Sequence, residues 1–502
     1  MSNASIITRR TGAARFDSWQ ARVGMLMLFT IVAAATYKMG LLVALAALAL
    51  PIGIFFVADL FLNPQKVLTW TLVMAFFTAG LGRYVSAPFG LTIDMFLFVG
   101  VLGYLMREVG TEKWTKILNN DVLWAQLVWY GMLMLELVNP EAHSPVAWFY
   151  AMRAFGFYQI LIAIIVLRYC RDYRYIDKFF NIVFVISLIG TLWGLRQMIF
   201  GLDAAEHHWI YVDGHKKTHI LHGVLRVFSF YSDAGQFGAS QAMVLLMAAV
   251  LCMGPYSLWQ KAWYGIVAFM TLIGFGISGT RGALFVPAAG AIAYLVVSKN
   301  YKILALGLGG MFTVFFILKF TFLFQGVEQV RRMRTALDPN DASFQVRLDN
   351  QKKFRKYLAT RPLGGGVGTA GFWGARFSPN TFLATTATDS WYVKVWAETG
   401  IIGVSLYLAV MLFLGGKAGY IIWNLENDYI KFKAMAMFGA YFGVLFASYG
   451  NSVIGQIPTS VILAMCLPLI YLCPLYERQI AREEAEKARL EEEKRKRNAY
   501  TY

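Results

Sequence analysis

Long apolar runs separated by short polar punctuation organise this chain, and one stretch late in the sequence breaks the pattern. Roughly 17–25 apolar residues suffice for a helix to cross a bilayer. On that measure the runs fall at 23–37, 40–62, 67–82, 91–106, 121–138, 147–167, 179–200, 234–254, 262–278, 282–298, 302–324, 399–423, 433–450 and 459–476. The pattern predicts an all-α polytopic membrane protein with about 12–14 transmembrane helices. Between 325 and 398 the chain turns polar, basic and glycine-rich. Neighbouring helices need only short connections, so a loop of this length is expected to carry function. The expected organisation is a cytoplasmic leader (1–22), a helical region (23–324) with an external loop (201–233), and the long loop (325–398). C-terminal spans (399–476) and a charged cytoplasmic helix (477–502) complete it.

Charge changes this picture by orienting it. The formal net charge is +17, but only 15% of residues are charged and 58% are hydrophobic. In a membrane protein such an excess marks cytoplasmic loops, and no nucleic-acid partner is expected. A cytoplasmic N-terminus places Lys66, Arg107, Lys113, Lys116, Arg168, Arg171, Arg174, Lys178, Lys261, Lys299, Lys302, Lys431 and Lys433 inside. The 325–398 loop then lies outside, where ATP and nucleotide sugars are not available. Cys170, Cys252, Cys466 and Cys473 lie in or beside apolar runs without metal-binding spacing, so they read as buried small hydrophobes.

Several stretches carry candidate chemistry. His207, His208, His215, His219 and His222 crowd one external loop, and the His215/His219 spacing suits a metal pair. Adjacent lysines and the lack of a recognisable acidic motif favour a solvated loop, and no metal site is predicted. Arg83 and Arg153, near external span ends, are expected to snorkel to lipid headgroups. Arg281 sits between two short apolar runs, flanked by Gly279 and Gly282; a cation there is costly unless paired or in a polar cavity. In the long loop, Phe344, Leu348, Phe354 and Leu358 recur at near-helical intervals among basic residues, predicting an amphipathic helix on the membrane surface. The PLGGGVGTAG turn follows, and its Gly364, Gly366 and Gly368 can present backbone N–H groups to an anion. Asp389 and Ser390 stand at the mouth of the helix that re-enters the membrane.

Taken together and in order, four of these features resemble the O-antigen ligase/polymerase family of bacterial inner-membrane glycosyltransferases. They are Arg226 before the aromatic stretch RVFSFYSDAGQFG, the Ser278–Gly282 motif, and Arg347 with the Pro362–Gly368 turn. The fourth is the Glu398, Gly400, Gly403 pattern of the following span. The resemblance covers residues 220–410. It implies transfer of a glycan from an undecaprenyl diphosphate carrier to a hydroxyl acceptor, without a cofactor. Ligases of the family carry a histidine where this chain has Asp389, followed by Ser390. That departure points to a polymerase of O-antigen or exopolysaccharide, with ligase as the alternative.

Under this resemblance Arg226, Arg281 and Arg347 neutralise charge on the diphosphate, a task suited to forked, permanently charged guanidinium groups. Asp389 serves as base for the acceptor hydroxyl. Ser278, Ser390, Gly364, Gly366 and Gly368 contribute to substrate binding. Expected partners are the lipid-linked glycan donor, a glycan or lipid acceptor, membrane lipids and other polysaccharide assembly proteins. A transporter or flippase, and a structural assembly partner, remain the other classes open to a chain of this hydropathy.

Overall fold

The computed structural model describes residues 41–111, 119–221, 223–299 and 342–499, with scattered positions within 19–37 and 305–334. The predicted leader and the runs at 23–37 and 302–324 therefore lie outside the continuously described residues, as does His222. The chain forms two compact units, Met1–Asn63 and Pro64–Tyr502. The first contains helix α1 (Leu41–Leu62), apolar along its length.

The second unit is almost wholly helical. In chain order it contains α2 (Pro64–Tyr84), α3 (Gly90–Glu108), α4 (Asp121–Leu135) and α5 (Pro145–Met152). A π-helical turn over Arg153–Phe157 joins α5 to α6 (Tyr158–Tyr169), and α7 (Arg174–Phe200) follows. The external loop holds α8 (Ala204–Tyr211), α9 (Lys216–His219) and an antiparallel pair of two-residue strands, β1 (Ile220–Leu221) and β2 (Val224–Leu225). Then come α10 (Ala234–Cys252), α11 (Leu258–Ser278), α12 (Phe285–Ser298), α13 (Ala342–Leu358), α14 (Gly371–Phe377) and α15 (Phe382–Thr385). The chain closes with α16 (Trp391–Trp423), α17 (Asp428–Ala447) and α18 (Thr459–Ala499). Among the described residues, ten helical segments are long and apolar enough to cross a membrane, in agreement with the all-α polytopic expectation.

Local sequence explains where these helices begin and end. Asp233 caps α10 by accepting the Gln236 N–H at 2.9 Å. Ser257 and Gln260 form a reciprocal capping box on α11, which ends at Gly279 in the left-handed region. Helix α10 is the hub: it has no polar face, and nearly all of it from Ala234 to Leu251 is buried. Helix α11 instead turns Trp259, Ile266, Phe269 and Leu272 outward, as a lipid-facing surface requires.

Glycines set the closest helix contacts. A Cβ at Gly443 on α17 would overlap the Val286 carbonyl of α12, and one at Gly290 would overlap the Gly439 carbonyl. Between spans in lipid, where apolar surface gains little from leaving its solvent, such close backbone approach supplies much of the association.

Three sequence expectations are corrected by packing. Arg153 does not snorkel: it pairs with Asp94, whose other oxygen accepts the Tyr158 hydroxyl at 2.6 Å. Arg83 is likewise engaged by protein, as described below. Lys433, expected as a cytoplasmic surface charge, is buried on α17, paired with Asp177 and lying 3.5 Å from the Tyr429 ring centre. In the tail helix, Glu483 meets Arg174 at 3.0 Å and Glu492 pairs with Lys496 at 2.6 Å.

The α12–α17 contact yields a test. Gly443→Val should lower the melting temperature of the purified protein by several degrees or abolish its membrane accumulation. Gly416→Ala, with open space around the added methyl, should leave both unchanged. Equal behaviour of the two variants would show that the α12–α17 approach contributes little.

Candidate functional site

The site is best built from the turn between α11 and α12. Gly279 adopts φ 56°, which an L side chain resists, and reverses the chain into Thr280 and Arg281. The Thr280 hydroxyl donates to the Ala234 carbonyl at 2.7 Å and lies 3.3 Å from Arg226 Nη2, which donates to it. Arg226 also donates through Nη1 to the Thr218 carbonyl at 3.0 Å. Arg226 and the Arg281 turn are thus tied together over the N-terminus of α10. Ser278 is fully buried beside Gly238, and its hydroxyl donates to the Phe275 carbonyl at 2.7 Å; it closes the end of α11.

The loop carrying Arg226 is held by Arg83. This guanidinium donates to the Ser229 carbonyl at 2.7 Å and to that of Tyr231, between the rings of Trp209 and Phe228 at 4.2 and 4.4 Å. Ser229 takes φ 53° and donates its hydroxyl to the Gly190 carbonyl at 2.7 Å. Two histidines of this loop are used in packing: His215 stacks on Trp209 at 4.3 Å, and His219 is buried against Trp209 and Phe228. Burial pushes the His219 imidazole down to about 4.

The long loop folds on itself. Phe354 and Leu358 of α13 pack with Ala370, Leu383, Val393 and Ala397, flanked by Tyr357, Phe382 and Trp396. The expected membrane-surface helix therefore has its C-terminal apolar face covered by protein; Phe344, nearer its start, stays exposed. Tyr150 of α5 stacks on Trp373 of α14 at 4.6 Å, and Arg361 pairs with Glu141 at 3.1 Å, fixing the loop to the 139–150 segment.

The glycine turn docks on the start of the following span. Helix α16 breaks at Gly400 (φ 64°), where a Cβ would overlap the Pro362 carbonyl. Gly365 and Gly366 N–H donate to the Ala397 and Glu398 carbonyls, each at 2.9 Å, and Gly364 N–H donates to Arg361 at 3.0 Å. The Glu398 carboxylate, fully buried, accepts Gly368 N–H at 3.1 Å and Ala370 N–H at 3.0 Å. The acceptor received by this turn is the protein's own carboxyl group.

A segment to which the sequence reading gave no weight, the turn over 448–456, joins these pieces. Ser390 donates its hydroxyl to the Ser448 carbonyl at 3.3 Å, and Trp391 N–H donates to the same oxygen at 3.0 Å. Arg347 Nη1 lies 3.8 Å from where a Cβ at Gly450 would stand. Asn451 reaches the N-terminus of α10, its Nδ2 being 2.9 Å from where a Cβ at Gly235 would stand, and its Cβ is 4.0 Å from the corresponding point at Gly282. Three residues beyond Arg347, Asn350 donates to the Ala387 carbonyl at 3.2 Å, next to the Asp389 segment. Asp389 itself is exposed at φ 51°, one residue before the N-cap position, which Ser390 occupies without a side-chain capping bond. Its geometry is thus not that of a helix cap. Among the described residues no group of three or more His, Cys, Asp or Glu side chains is arranged to hold a metal.

Among the described residues, ten segments long and apolar enough to cross a membrane define a multi-pass membrane protein, and the arginine-bearing segments and the folded loop meet near the N-terminus of α10. The model of the O-antigen ligase family matches residues 265–408, the part that runs from α11 through Arg281, Arg347, the glycine turn and Asp389 into α16. This match supports the O-antigen ligase/polymerase family and a role of that type in surface polysaccharide assembly. No curated protein matches the chain.

The buried carboxylate gives the second test. Glu398→Gln keeps one acceptor but turns an N–H2 toward a backbone N–H, so it should destabilise the loop by about 1–3 kcal/mol. Faster limited proteolysis between 358 and 390 should report it. Wild-type proteolysis in Glu398→Gln would mean that the two N–H bonds do not hold the loop.

Proposed function

We propose that this protein is a glycosyltransferase that acts on the periplasmic face of the bacterial inner membrane. It takes glycan from an undecaprenyl diphosphate carrier and extends a surface polysaccharide, as an O-antigen or exopolysaccharide polymerase. The observation that supports this best is that Arg226 bonds Thr280, the neighbour of Arg281, over the N-terminus of α10, while Arg347 approaches Gly450, whose neighbour Asn451 reaches the same helix terminus. Three guanidinium groups suit a leaving diphosphate, whose charge grows as the anomeric bond breaks. The reaction breaks the bond from anomeric carbon to phosphate oxygen and forms one to the acceptor oxygen. Asp389, held exposed in a left-handed conformation beside Ser390, takes the acceptor proton. The glycine turn and Glu398 act here as the brace that positions α13 and the Asp389 segment. The ligase alternative rests on the description of the matched family; the polymerase reading rests on Asp389 at the position of the ligase histidine.

Glycolipids from a deletion strain separate the two activities. Loss of chain extension, with single units still transferred, is the expected polymerase result; full-length polymer retained on the carrier would make the protein a ligase.

Sidedness is checked at Lys352, which is 76% exposed on α13. Lys352→Cys should react with an impermeant thiol reagent in intact spheroplasts, above the background of the parent protein. Labelling only after lysis would place the loop in the cytoplasm.

The catalytic roles predict distinct losses. Arg281→Lys keeps the charge and loses the fork, so transfer should fall by roughly 10²-fold with normal insertion. Asp389→Asn should lower turnover by ~10²–10⁴-fold while donor affinity persists. Near-normal turnover in Asp389→Asn would exclude Asp389 as the base.

A further inference from the structure

The arginines account for a diphosphate but not for the sugar attached to it. Directly beside them the 448–456 turn presents a group of different chemistry. Gln236, in the first turn of α10, is fully buried; its Nε2 donates to the Thr459 hydroxyl at 2.7 Å and to the Gln456 carbonyl at 3.4 Å. Its Oε1 is buried with no hydrogen-bond partner, and so are Gln456 Oε1 and Ser452 Oγ. Asn451, half-buried, brings its amide to the same helix terminus, next to Gly450, which Arg347 approaches. A buried polar atom without a protein partner loses its hydration unless water or a ligand supplies one, so a cluster of them around one turn is a candidate place for polar groups from outside the chain.

The composition of the cluster identifies the ligand class. Amides and hydroxyls donate and accept, carry no charge and match groups that do the same. Sugar hydroxyls have that character, and phosphate does not. We propose that Gln236, Asn451, Ser452 and Gln456 form a subsite for the hydroxyls of the donor's first sugar, contiguous at Gly450–Asn451 with the arginine-lined diphosphate site. This assignment rests on the glycosyltransferase reading above, and it adds the element that selects which glycan is accepted. It also gives a function to the 448–456 turn, which lies beyond the matched family segment. Holding the first sugar on α10 and the diphosphate on the arginines would fix the orientation of the scissile bond toward the acceptor.

The test is binding by the full-length protein in nanodiscs, with two probes: undecaprenyl diphosphate alone, and the same carrier bearing one N-acetylhexosamine. Asn451→Ala and Ser452→Ala should each weaken the sugar-bearing probe by about 3- to 10-fold. Affinity for the bare carrier should stay within twofold, which also certifies that the variants fold. Arg281→Lys should weaken both probes. Unchanged affinity for both probes in Asn451→Ala and Ser452→Ala would reduce the cluster to polar packing, and equal loss for both would make it part of the diphosphate site; either result overturns the subsite. Wild-type protein that binds neither probe would overturn the glycosyltransferase reading, and the subsite with it. If wild type binds both probes with equal affinity, the diphosphate site stands and the sugar subsite falls.

Discussion

A buried carboxyl group is the constraint on which the folded loop before α16 depends. Glu398 sits at the end of the short helix that precedes the Gly400 break, fully enclosed. A lone carboxylate in such a place is strongly unfavourable unless hydrogen-bonded. The glycine turn supplies those bonds from Gly368 and Ala370, and its neighbours Gly365 and Gly366 bond the adjoining carbonyls. Side chains at Gly364 or Gly400 would block the approach, so the glycines and the acid require one another. The hydrophobic core of the loop then closes around this junction, with Phe354 and Leu358 against Val393 and Ala397. The loop is consequently a folded brace anchored to a membrane helix, and Arg347 is presented from it at a defined position.

The membrane half meets it with equal rigidity. Helix α10 is buried nearly all round, and its N-terminus receives the Thr280 hydroxyl, the Asn451 amide and the Gln236–Thr459 bond. Partial positive charge at a helix N-terminus favours anionic groups nearby. Arg83 holds the aromatic loop through two carbonyls, and that loop carries Arg226 to the same place. Three arginine-bearing segments thus reach one end of the bundle from a loop, an interhelical turn and the brace.

The hydropathy pattern alone determined the all-α polytopic architecture, since a bilayer leaves a run of about twenty apolar residues no other satisfied conformation. It also marked the long polar interruption and the Gly279 reversal beside Arg281, because glycine, charge and run length act locally. But it started the following span at 399, where the structure starts the helix at Trp391 and breaks it at Gly400. The sequence motifs further carried the family, as the match over 265–408 bears out. Only the tertiary structure decided what the polar groups touch. Arg153 and Lys433 look like boundary charges in sequence, yet Asp94 and Asp177, distant along the chain, claim them. The glycine turn looked like an anion nest and proved to hold Glu398, some thirty residues on, whose approach depends on a kink at Gly400. Residues 448–456 offered no charge, motif or periodicity to notice. Their place at the junction of Ser390, Arg347 and α10 follows from how α16, α17 and α18 pack, and packing between distant segments is not written in any local stretch of sequence.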